Sequence, residues 1–144
     1  MTYIDPDREA WQLFKALPRD QPIQMLNLVR VKDLADYPAG HPDHGKGLSG
    51  LDAYRAYGRT TAHLFARVGG RQVWAGKPQV MVTGPNAEAW DIAFIAGYPS
   101  SQAFMEMVRD PEYQQLVQHR SAGVADSRLL RLDPINEPGD GFGE

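Results

Sequence analysis

The sequence predicts an α+β fold in which a four-stranded antiparallel sheet carries its helices on one face. Three observations lead there. Two stretches, Ile23 to Val31 and Trp90 to Tyr98, have strand length and are rich in β-branched or aromatic residues. Two others, from Leu51 to Val68 and from Ser101 to Arg120, place apolar residues at helical spacing. Each helical segment leads into a further strand, near Arg71 and at Ser127 to Leu132. The order strand, helix, strand, strand, helix, strand is the ferredoxin-like βαββαβ plan, and right-handed crossovers put both main helices on the same face.

Taken in order, Asp5-Pro6 reads as the cap of a short helix with Trp11, Phe14 and Leu17 on one side and Pro18 as its stop. This is an N-terminal extension, residues 1–20, ahead of the sheet domain at 21–133. Ile23 to Val31 sets Ile23, Met25, Val29 and Val31 against Leu26 and Leu28, the two-sided apolar pattern of a central strand. Between Lys32 and Gly50 the pattern gives way to Asp, Tyr, Pro, Gly and His, a loop long enough to serve as a lid or dimer arm. From Leu51 the inner arc holds Tyr54, Tyr57, Gly58, Thr61, Leu64, Phe65 and Val68, with Asp52, Arg59, His63 and Arg67 opposite.

Gly69-Gly70 closes that helix. Arg71 to Ala75 then starts an edge strand, broken at Gly76-Lys77-Pro78 and expected to resume over Gln79 to Thr83 before Gly84-Pro85-Asn86 turns back into Trp90 to Tyr98. A serine after Pro99 caps the next helix, on which Ala103, Phe104, Met107 and Val108 share a face. Asp110-Pro111 breaks it and caps another, whose stripe is Tyr113, Leu116, Val117 and Arg120. After Leu132 the Gly-, Pro- and acid-rich tail, 134–144, predicts a mobile end.

Composition removes several classes of function. The net charge of −3 arises from interspersed signs, with no Lys/Arg run able to track a phosphate backbone, so nucleic acid is not an expected partner. There are no cysteines, which excludes disulfides, thiolate metal sites and a cysteine nucleophile, and suits a reducing compartment. No apolar run approaches the roughly 20 residues that span a bilayer, and the first residues lack a signal-peptide pattern. The expected location is cytoplasmic, without a membrane partner.

Met25-Leu-Asn-Leu-Val-Arg30, Gly69-Gly70, Tyr98-Pro-Ser100 and Asp110-Pro-X-Tyr113 with Arg120 carry a resemblance running from about Met25 to Leu132. The chain resembles the family called domain of unknown function 1330, within the dimeric alpha-beta barrel superfamily. The resemblance implies that two sheets pair face to face as a homodimer, and the face of Met25 and Val29 is the one expected to need the partner. The superfamily includes oxygenases, isomerases, dechlorinating enzymes and non-catalytic members, so it implies a fold more than a reaction.

Candidate site residues each carry a structural alternative. Arg120 falls on a buried stripe, where a guanidinium needs an anionic ligand or an internal acceptor such as Asp126 or helix-end carbonyls. His119 beside it could move a proton, or be a polar edge. Asn27 could orient a substrate carbonyl or be a satisfied core amide. Tyr54, Tyr57, Trp74 and Tyr113 are candidates for a substrate-binding wall, against ordinary core packing; Trp90 reads the same way, and His63 as solvated surface. His41-Pro-Asp-His44 with Asp36 or Asp43 lacks the helical or strand frame of a metal site, so no metal is expected. Gly45 to Gly50 lacks the ending of a phosphate loop, and Ser49 or Ser127 lacks a located base and oxyanion hole. The reading is a cofactor-independent enzyme acting on a small aromatic or carbonyl compound. The alternative is a non-catalytic module that binds a small ligand or serves only as a dimer.

Overall fold

Asp7, rather than Asp5, opens the first helix of the computed structural model, which describes residues 1–143. The Asp7 carboxylate accepts the Ala10 N–H at 2.7 Å, starting α1 (Arg8–Ala16). Then follow β1 (Ile23–Val31), α2 (Gly50–Arg67), β2 (Arg71–Gly76), β3 (Ile92–Tyr98), α3 (Ser101–Arg109), α4 (Pro111–Gly123) and β4 (Val124–Leu132). The sheet order is β2-β3-β1-β4, all neighbours antiparallel, with the two most apolar strands in the centre. Residues 133–143 carry neither helix nor strand, and Glu144, the end of the expected mobile tail, lies outside the described residues.

Local chemistry explains most boundaries. Ser49 and Asp52 form a reciprocal capping box at the start of α2. Ser100 caps α3 through the Ala103 N–H, and Asp110 ends α3 while capping α4 ahead of Pro111. Two expectations fail. Gln79 to Thr83 forms no strand, and Val80 and Val82 stand exposed, because the chain after Pro78 finds no strand partner in its own sheet. The bulge in β2 falls between Gln72 and Trp74 instead of at the Gly-Lys-Pro break. β4 also begins earlier than Ser127, directly at the end of α4.

Directly paired residues share a face of an antiparallel sheet, and this alternation corrects the expected dimer surface. Ile23, Met25 and Val29 point toward the helices and are buried, in clusters with Leu64, Met107 and Tyr113 on one side and Tyr54 and Val124 on the other. The face left uncovered is the other one. Leu26 sits beside Ile95 and Leu130, and Trp74 beside Ile95, with Trp74 and Leu130 half exposed. The strand is apolar on both sides, as its sequence predicts, but alternation alone does not say which side the helices take.

The long loop packs on the junction of α2 and α4. Lys32 N–H donates to Gly123 O at 2.7 Å, Asp36 N–H to Ala122 O at 2.9 Å, and Gly50 N–H to Lys32 O at 3.0 Å, while Tyr37 is buried with Ala53 and Ala122. Gly50 is required there, because a Cβ would stand 2.1 Å from Lys32 O and 2.8 Å from Gly123 O, both backbone atoms. Gly50→Ala should therefore lose about 2 kcal/mol in urea unfolding. Gly58→Ala, at a helical position whose Cβ meets nothing within 4 Å, should gain up to about 1 kcal/mol. Equal effects at the two positions would refute the close-approach argument.

Candidate functional site

A cleft of about 1660 Å³ lies between the helix-facing side of the sheet, α2, α4 and the N-terminal segment. Its polar end is built from the inner stripes of the two helices. Tyr57 and Tyr113 share a hydrogen bond at 2.7 Å between hydroxyls, with their rings 6.2 Å apart, and Tyr54 packs 5.6 Å from Tyr57. Burial raises all three phenols above their ordinary range, their mutual proximity adds to this for Tyr54 and Tyr113, and Arg120 offsets it only in part. At neutral pH they are protonated hydroxyls, able to donate.

Arg120 lines the same cleft. Its guanidinium donates to Asp5 Oδ1 and to Ser127 Oγ, each at 3.3 Å, and the Asp5 side chain is 67% exposed. The acceptor considered from sequence, Asp126, is occupied elsewhere, by the Tyr3 and Ser127 N–H groups and by Arg128. Asn27 faces the cleft from β1, and its amide N–H donates to Met25 O at 3.0 Å. Its carbonyl oxygen has no protein donor among the described residues. Phe94, paired with Asn27, and Ala96, paired with Met25, supply apolar floor.

Asn27, Tyr54, Tyr57, Tyr113 and Arg120 thus come together, and two other candidates do not. Trp74 lies on the uncovered sheet face beside Ile95. His119 follows the helix by one residue less than Arg120, about 100° around the axis, which turns it out of the cleft and toward the long loop. There its Nδ1 meets the Tyr37 hydroxyl at 2.7 Å and stands 4.0 Å from Asp43 Oδ2. Burial, with His41 beside it, lowers the His119 pKa below the ordinary imidazole range, Asp43 opposing, so the ring is neutral at pH 7. His44 turns away to Tyr37 O at 2.8 Å. No residue of the loop, 32–49, lines the cleft; the wall there is the N-terminal segment and α1, through Asp5, Trp11 and Phe14 among others.

Sequence reasoning missed Asp5 and Tyr3. The Asp5-Pro6 pair predicts a helix cap, and only the return of β4 beside the N-terminus brings the Asp5 carboxylate to Arg120, 115 positions away. Ser127, considered as a nucleophile, instead caps this contact and donates to Tyr3 O at 2.8 Å.

The RPA0582 protein of unknown function from Rhodopseudomonas palustris is 47% identical over 95% of this chain and 100% of its own, with a TM-score of 0.86. The methylated form of RPA0582 gives 48%, 97% and 100%, with a TM-score of 0.88. SnoaB, a cofactor-independent oxygenase from Streptomyces nogalater, is 15% identical over 81% of this chain and 96% of its own, TM-score 0.47, a likeness from which no activity follows. No curated protein matches the chain. The family model matches residues 49–131, which include Gly69-Gly70, Tyr98-Pro-Ser100 and the Asp110-Pro-Glu-Tyr113 turn but not β1. Its ferredoxin-like sheet and this match agree: the chain belongs to the family described as domain of unknown function (DUF1330).

Proposed function

We propose that the cleft binds a small organic anion with an aromatic or carbonyl body, and that the protein is a cofactor-independent enzyme acting on that compound. The observation that supports this is Arg120, a permanent charge beside three protonated phenols in a mostly apolar cleft, held among the described residues only by an exposed carboxylate and a serine hydroxyl at 3.3 Å. Donors preorganised in this way stabilise a carboxylate, phenolate or enolate oxygen. Asn27 would orient the substrate, and Tyr54, Tyr57 and Tyr113 would hold its body and oxygen. Because His119 stands outside the cleft, the substrates best suited are those that ionise in solution and need no imidazole base. That placement also supports a second reading, a ligand-binding module without catalysis.

The uncovered sheet face argues for a homodimer, since Leu26, Ile95, Leu130 and Trp74 form a contiguous apolar surface in the single chain. Native mass spectrometry of freshly purified protein should show a dimer, and Leu26→Arg should yield monomer. A stable wild-type monomer at micromolar concentration would remove the dimer. Calorimetry with benzoate, salicylate and acetylacetonate tests the cleft: binding is expected for at least one, and binding to none overturns the anion reading. Oxygen uptake or product formation with a compound that binds separates enzyme from module.

A further inference from the structure

We propose that His41, Asp43 and His119 form a binding site for one divalent transition-metal ion of the zinc class, clasping the long loop to α4. The sequence shows two histidines in a loop without a frame; the fold supplies the frame by bringing a helical imidazole against them. One donor atom from each of the three residues lies within 4.8 Å of the others, all partly buried. His119 Nδ1 and Asp43 Oδ2 stand 4.0 Å apart, too far for a hydrogen bond. Bonds of 2.0–2.2 Å to a tetrahedral ion give donor separations of about 3.4 Å, so about 1 Å of side-chain movement in the loop closes the set.

The surroundings orient the donors. The Tyr37 hydroxyl, hydrogen-bonded to His119 Nδ1 at 2.7 Å, positions that ring beside the loop. Lys46 Nζ takes Asp43 Oδ1 at 3.2 Å, leaving Oδ2 turned toward His119. The loop is pinned independently by its backbone bonds to Ala122 and Gly123, so binding does not have to order it. Loading gives up two contacts, the Tyr37 hydroxyl on His119 Nδ1 at 2.7 Å and the Asp43 N–H on His41 Nδ1 at 3.0 Å, a small loss against metal–ligand bonds. Two imidazoles and one carboxylate leave a fourth position open to water, a donor set suited to zinc and its first-row neighbours. His44 is not part of the set, because it does not lie with the other three donors; its Nδ1 meets Tyr37 O.

The test is titration of tag-free, EDTA-treated full-length protein with zinc chloride, followed by calorimetry and thermal melting. One ion per chain, with a Kd of about 10 µM or tighter and a melting temperature raised by zinc, is expected. Affinity should fall at least about tenfold in His119→Ala and in Asp43→Asn, a change that keeps the side-chain shape, and should be unchanged in His44→Ala. Binding weaker than about 100 µM, binding that survives both of the first two changes, or binding abolished by His44→Ala overturns the site.

Discussion

Replacing Asp126 by alanine should cost about 3 kcal/mol at pH 7, the typical consequence of removing one partner of a buried charged network. The residue is only 4% exposed, and its carboxylate accepts from Tyr3 N–H at 2.8 Å, Ser127 N–H at 2.9 Å and Arg128 Nη1 at 2.7 Å. Burial alone would raise its pKa, but these donors and the Arg128 charge outweigh it and hold the carboxyl below the ordinary carboxylate value of 3.8. The sign follows: a depressed carboxylate adds stability above its unfolded pKa and loses it as pH falls through the folded one. The gap between wild type and Asp126→Ala in urea melts should thus be full at pH 7 and shrink below pH 3.8. A gap under about 1 kcal/mol, or one unchanged between neutral and acid pH, would show that Arg128 and Tyr3 are satisfied by water instead. Tyr3 belongs to the segment that walls the cleft, so this carboxylate also anchors the site.

Arg120→Met should leave the fold nearly unchanged while lowering the affinity for a small carboxylate by about 10- to 100-fold, the loss of one or two hydrogen bonds to charge. Its internal partners explain the first half. Asp5, mostly exposed, regains water when the guanidinium goes, and Ser127 keeps Tyr3 O, so no buried acceptor is stranded. Thermal melts should move by less than about 1 kcal/mol equivalent. The opposite pattern, a loss near 3 kcal/mol with anion binding unchanged, would make Arg120 a structural residue and leave the cleft without its charge.

The sequence by itself determined the elements and their order. Caps at Ser49, Ser100 and Asp110, the helix breaks at Gly69 and Pro111, and the two-sided apolar strands are local signals, set by backbone donors and side-chain period within a few residues. It also placed Tyr54, Tyr57, Tyr113 and Arg120 on the inner helical stripes, where they line one cleft. What the tertiary structure decided were questions of side and of distant partner. Period two shows that β1 has two apolar faces, but only packing shows that the helices cover Met25 and Val29 and leave Leu26 open. Neighbours on a helix differ by about 100°, so Arg120 and His119, adjacent in sequence, serve different surroundings. Asp5 meets Arg120, and His41 and Asp43 meet His119, because β4 returns beside the N-terminus and the long loop is pinned over the end of α4, contacts made by segments whose spacing in the chain carries no trace of them.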